Sequence, residues 1–170
     1  MARAMGTFSG KNLPIEMLAG IGGVIAQWSY LAFQLTVILR LGHGLTKESQ
    51  RALLVGAEVG VLCSQLRTLA STDHWIKDEA LREKIEDFAV DVRKASAARN
   101  DYAHGIFGYL IGKAGQADEE KFIRHVMKKG PDRVRPQAEE VTVESLHKHA
   151  EKAQELFDRA QAITDQLKGR

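Results

Sequence analysis

The run Arg99-Asn100-Asp101-Tyr102-Ala103-His104 holds the residue types best suited to chemistry in this chain. Asn100 and His104 are four apart, so on a helix they share a face within hydrogen-bond reach, and the amide can orient the imidazole. Arg99 stands five residues before His104, about 140° around a regular helix, a gap that its long side chain partly closes. Convergence across a dimer axis, where each helix meets its symmetry mate, is the other route. The carbonyl-rich end of a helix favours an imidazolium and raises a histidine pKa from about 6.5. Such a histidine both takes and gives protons near neutrality. Arginine adds a permanently charged planar fork matched to phosphate oxygens and to charge on a pentacoordinate phosphorus. Together these groups suit phosphodiester cleavage in RNA, in which the 2′-hydroxyl attacks the adjacent phosphate and no metal is needed. DNA lacks that nucleophile. The competing structural reading pairs Arg99 with Asp101 and lets His104 finish its helix on a carbonyl.

A basic segment follows directly. Between Lys113 and Arg135 lie Lys121, Arg124, His125, Lys128, Lys129, Arg133 and Arg135, with few acids after Glu120. Folded back beside His104, the cations Lys113, Lys121, Arg124, Lys128, Lys129, Arg133 and Arg135 would supply phosphate contacts of the sequence-independent kind. A solvated charged face is the alternative. His147 and His149, two apart on a helix, face different ways and have no Cys/His cluster beside them, so no metal site and no cofactor is expected.

The elements that position the motif follow from periodicity. A first helix runs from Pro14 to Gly42, where Gly42-His43-Gly44 breaks it. Its uncharged stretch from Met17 to Leu39 is long enough to span a membrane. However, Gly20, Gly23, Gln27, Tyr30 and Gln34 form one stripe and Leu18, Ile21, Ile25, Trp28, Ala32, Leu35 and Leu39 another, which describes a core helix. No Lys/Arg cluster flanks the stretch, so no membrane association is expected. Gly20-Ile21-Gly22-Gly23 is read as close helix packing rather than a phosphate loop.

Thr46 is expected to cap a second helix reaching about Ser71, with Leu54, Ala57, Val61, Gln65, Leu69 or their neighbours inward and Glu58 at the edge. After a connection over Asp73 to Lys77, Leu81, Ile85, Phe88, Val92, Ala95, Arg99 and Tyr102 mark a third helix that ends at Gly105. For the stretch from Gly105 to Pro136 two readings stand. One is a short helix opening at Asp118, and the other is a hairpin of Phe107 to Ile111 with Phe122 to Met127. Thr142 caps a final helix from Val143 to about Lys168.

The expected architecture is therefore all-α: a bundle of four or five helices, with a short β-hairpin between residues 106 and 136 as an option, in a single domain over 1–170 whose first dozen residues are loose. The 170 residues suffice for one sizeable core. One cysteine, Cys63, excludes an intrachain disulfide framework and fits a reducing, cytoplasmic setting. The net charge of +2 by itself neither demands nor excludes nucleic acid.

The six-residue run resembles the R-x4-6-H motif of HEPN domains, an all-helical family with many metal-independent endoribonucleases in toxin–antitoxin, phage-defence and RNA-processing systems. Asn100 extends the resemblance, since a polar residue commonly follows that arginine, as does placement at the end of a long helix. The resemblance implies Arg99 and His104 as the catalytic pair with Asn100 in support, RNA as substrate, and a homodimer whose motifs face a shared cleft. It also implies an antitoxin or other regulatory protein as a partner. In toxins paired with a nucleotidyltransferase antitoxin a tyrosine commonly stands two residues after the histidine; here that position is Ile106. The alternative function is a non-catalytic helical module that holds RNA, a nucleotide or a partner protein.

Overall fold

The computed structural model describes residues 14–104, 106–110, 121–129 and 134–169. The side chains at 98, 101, 103 and 104, and those of the strands apart from Phe107, Arg124, Glu139 and Glu140, lie outside that description, as does the segment 1–12 expected to be loose.

Five helices form the body: α1 (Ile15–Gly42), α2 (Lys47–Leu53), α3 (Val59–Ala70), α4 (Glu79–His104) and α5 (Val143–Lys168). Between α4 and α5 runs an antiparallel sheet of β1 (Ile106–Leu110), β2 (Lys121–Lys129) and β3 (Val134–Glu140), in the order β1-β2-β3. The core is helical. α1 packs against α5, α3 and α4, α3 lies along α4, and α4 closes on α5.

α1 starts after Pro14, which lacks the amide hydrogen a first turn leaves unpaired anyway. It is one helix long and apolar enough to cross a membrane by length and composition. In this structure the part from Val24 onward is the spine of the core: Val24, Trp28, Leu31, Leu35, Ile38 and Leu39 are buried. Of the polar stripe expected on α1, Gln34 turns inward as an internal connection while Tyr30 faces solvent. Gln34 donates to Thr164 Oγ1 on α5 at 2.7 Å, and Thr164 donates in turn to the Ala160 carbonyl. Thr36 accepts from Gln50 of α2 at 2.7 Å. Buried amides and hydroxyls satisfied in this way fix the register between helices. Gly20 allows Leu146 of α5 to sit where a Cβ would be, and Gly42 does the same for Leu69 of α3; Gly22 and Gly23 have no neighbour that close.

α5 opens with a reciprocal cap in which Thr142 accepts from the Ser145 amide and Ser145 Oγ accepts from the Thr142 amide, both at 3.1 Å. Its stripe of Leu146, Ala153, Leu156, Ala160, Ile163 and Leu167 is buried. α4 begins at Asp78, whose carboxylate accepts from the Leu81 amide at 3.1 Å. Arg159 of α5 reaches Asp91 of α4 at 2.8 Å and holds that carboxyl below its usual range.

Two expectations are corrected. The helix expected from Thr46 to Ser71 is broken: Thr46 caps α2 by accepting from the Ser49 amide, but the chain turns at Gly56, with φ of +87°, before α3 starts at Val59. Leu54 and Leu69 are buried as expected, and between them Leu62, Cys63 and Leu66 are buried while Val61 is half exposed. Cys63 is a buried free thiol, as expected, and desolvation pushes its pKa up to about 11. Beyond α4 the hairpin reading describes the chain better than the helix reading, yet it omitted the third strand, which carries Pro136. Proline removes a ladder donor and is tolerated because β3 is an edge strand.

Candidate functional site

The site begins with the way α4 changes character along one face. Leu81, Ile85, Phe88, Ala89 and Val92 are buried in the core, then Ser96, and then the same stripe brings Arg99 half inward and Tyr102 fully inward. The core seam thus ends in groups that carry hydrogen-bond donors. Arg99 donates from Nη1 to Asn100 Oδ1 at 3.1 Å. Among the described residues its Nε is buried with no partner. An unmet buried donor costs on the order of 1–3 kcal/mol, which an arriving acceptor recovers. Asn100 is exposed and its oxygen serves Arg99, an interaction that adjacency alone permits. His104 closes α4, and its side chain falls outside the described part of the structure.

Arg99 and Asn100 stand on the wall of a cleft of about 760 Å³. One side is α1, with Trp28 in the floor and Phe33 on the wall, 57% exposed. The opposite side is α4, with Arg93, Ser96 and Arg99. The lip is the turn from Leu54 to Glu58, so the left-handed Gly56 that breaks the second helix also gives the cleft its edge. A continuous helix would have no such edge. Among the described residues neither Arg93 nor Arg99 forms an ion pair, and Glu58, at the N-cap of α3, makes no capping bond. A shallower concavity shares Glu58, Gly60 and Arg93 with the cleft and extends it along α3.

No protein-family model, curated protein or solved structure matches the chain.

The sheet leaves directly from the end of α4. β1 pairs with β2 from Ile106 opposite His125 to Leu110 opposite Lys121. β2 continues past the start of β1 through Val126 to Lys129, paired there with β3, where Lys128 stands opposite Arg135 and Lys129 opposite Val134. Three residues of strand carry Lys128 about 10 Å beyond His125. The register therefore sends the basic end of the β2–β3 hairpin past the point where the chain leaves His104. Like charges at directly opposed positions cost stability, and a bound anion offsets that cost.

One residue expected at this surface is turned away from it. Arg124 is buried, its Nη2 bonds Glu139 Oε2, and its guanidinium lies 4.3 Å from the centre of the Tyr102 ring. Tyr102 in turn meets His149 of α5 edge-on, with ring centres 5.0 Å apart. Burial, followed by the neighbouring Arg124 charge, lowers the His149 pKa. Arg124 thus clamps the sheet to the helix carrying the motif and does not present a cation to phosphate. Of the other expected contacts, Lys113 and Arg133 lie outside the described residues; Lys121, Lys128, Lys129 and Arg135 are placed on the strands by register only. Phe33 and Arg93 were not anticipated at the site, and Glu58 was read as an edge carboxylate reaching solvent in preference to a site role. Gly56, inside an otherwise apolar run, was the available signal for a turn there.

Proposed function

We propose that this chain is a HEPN-like, metal-independent endoribonuclease, with Arg99 and His104 as the central pair and Asn100 holding the guanidinium. The observation that carries this reading is Arg99 itself: a half-buried arginine near the C-terminal end of α4, whose buried Nε has no acceptor among the described residues, beside an open cleft. Such a donor suits a phosphate oxygen and the charge that grows on it as the 2′-hydroxyl attacks. His104, five residues on at the carbonyl end of the helix, is the group to move the protons. The basic end of the β2–β3 hairpin supports binding of the flanking backbone through Lys128, Lys129 and Arg135. An apolar stripe along α1, including Ile15, Leu18 and Tyr30, faces solvent in the single chain and supports a homodimer as the working form.

The test is cleavage of a mixed single-stranded and structured RNA pool in EDTA by the wild type, His104→Ala and Arg99→Ala. Products ending in 2′,3′-cyclic phosphate, with rates falling roughly a hundredfold or more in both folded variants, are expected. A folded chain that binds RNA and leaves it intact would instead be a non-catalytic RNA-holding module.

A further inference from the structure

The cleft beside Arg99 is larger than one phosphate needs and is built from unlike walls. Phe33 and Val55, both more than half exposed, form an apolar side; Arg93 and Arg99 form a cationic side; Glu58 stands at the lip. A phosphate alone would use the arginines and gain nothing from Phe33. A purely apolar ligand would leave the Arg99 Nε unmet. A nucleotide uses each wall: a base stacks on an exposed aromatic ring, its phosphate pairs with guanidinium groups, and a carboxylate accepts from base N–H groups. The volume of about 760 Å³ falls within the range of small-molecule sites and accommodates one nucleotide.

We propose that this cleft is a base-recognition subsite that holds one nucleotide of the RNA strand next to the scissile phosphate, with Phe33 as the stacking platform and Glu58 as the reader of base N–H donors. The inference rests on the proposed action on RNA for the identity of its occupant. Guanine is the favoured base, because its ring N–H and amino group offer two parallel donors to one carboxylate, whereas uracil offers a single donor between two carbonyl oxygens that the carboxylate repels. Phe33 is the platform because it is the exposed aromatic residue on the cleft wall, and its truncation removes little from the core.

The experiment is calorimetric titration of the full chain with guanosine 3′-monophosphate, uridine 3′-monophosphate and inorganic phosphate, repeated for Phe33→Ala, Glu58→Gln and Arg99→Ala. Circular dichroism and sedimentation are recorded for each variant. Guanosine 3′-monophosphate is expected to bind about tenfold or more tightly than either other probe, Phe33→Ala to weaken it by roughly tenfold, and Glu58→Gln to erase the preference over the uridine nucleotide. Equal binding of all three probes, or nucleotide affinity unchanged in Phe33→Ala, would overturn the subsite. So would a Phe33→Ala variant whose only change is its oligomeric state, since the cleft would then be covered by a second copy. Because binding is read without turnover, the two readings fail separately. His104-dependent cleavage without nucleotide binding removes the subsite alone, and base-selective binding without cleavage removes the nuclease alone.

Discussion

Arg124 lies over the ring of Tyr102 at 4.3 Å, so a residue inside the candidate motif holds the sheet that follows it. The same guanidinium bonds Glu139 of the neighbouring strand, and the pair sits where β2, β3, α4 and α5 meet. Phe107 of β1, opposite Arg124 in the register, packs against the helical core. The cation–π contact and the largely buried ion pair thus join β2 and β3 to α4.

Arg124→Ala is therefore expected to lower stability by about 2–3 kcal/mol, because it removes one partner of a largely buried pair and the stacked plane together. Lys128→Ala and Arg135→Ala are expected to change stability by less than about 0.5 kcal/mol and to reduce the salt dependence of RNA binding by about one unit of slope each. Urea denaturation beside binding titrations at several salt concentrations separates the two classes. A reversed pattern, with Arg124→Ala folded and deficient only in RNA binding, would return Arg124 to the interface.

Gly56→Ala isolates the cost of a backbone conformation. At φ of +87° the residue lies in the left-handed region, and an added Cβ would meet nothing within 4 Å. Substitution is expected to cost about 1–2 kcal/mol from the torsion alone. Since this turn is the lip of the cleft, nucleotide binding is expected to weaken while the helical signal in circular dichroism is kept. A variant as stable as the wild type would mean that the turn is easily rebuilt.

These two positions also show where the sequence was legible. The long helices were, because period and caps agree: Thr142 with Ser145 starts α5, and the apolar stripe from Leu81 to Val92 fixes the inward face of α4. The split of α2 from α3 was not, since a single glycine in an apolar run is compatible with a helix, and the contact of Gln50 with Thr36 that docks α2 joins residues that spacing does not pair. β3 was hidden because Pro136 and three acidic or amide residues read as loop; only the place at the sheet edge makes them a strand. The inward turn of Arg124 had one faint signal, since it shares strand parity with Phe122 and Val126, a parity that Lys128 at the strand end also has. The motif was legible as residue types, but the engagement of Asn100 by Arg99 depends on side-chain geometry that spacing does not determine.

Acid is expected to loosen the junction between sheet and helices. His149 has a pKa lowered by burial and by Arg124, and His43, packed edge-on against Trp75 at 4.7 Å, is lowered by burial. In both cases the unfolded chain binds the proton more readily than the folded one. Stability is therefore full above about pH 6.5 and falls as pH drops from there toward the lower folded values. Asp91 acts in the same direction at lower pH. Its carboxyl is depressed by the Arg159 hydrogen bond, so its small stabilising share is present above about pH 4 and is lost as pH falls through the folded value. Thermal unfolding between pH 7.5 and 5 is expected to show a falling Tm, with a shallower slope in His149→Gln. An unchanged slope in that variant would place the proton uptake elsewhere.

Arg99→Lys separates charge from shape at the centre of the site. Lysine keeps the positive charge but has no planar fork, cannot offer the buried Nε donor, and reaches Asn100 with a rotatable ammonium. If Arg99 acts only as a cation drawing RNA to the cleft, the lysine variant should keep nearly all of the activity and the salt dependence of the wild type. If it aims donors at a developing phosphorane, RNA affinity should persist while the cleavage rate falls by roughly tenfold to a hundredfold, with Arg99→Ala lower still. Single-turnover rates at saturating RNA distinguish these outcomes, since they report the bound complex and are blind to losses in affinity. The second outcome is expected, because in this structure Arg99 is half buried and held by its neighbour rather than extended into solvent.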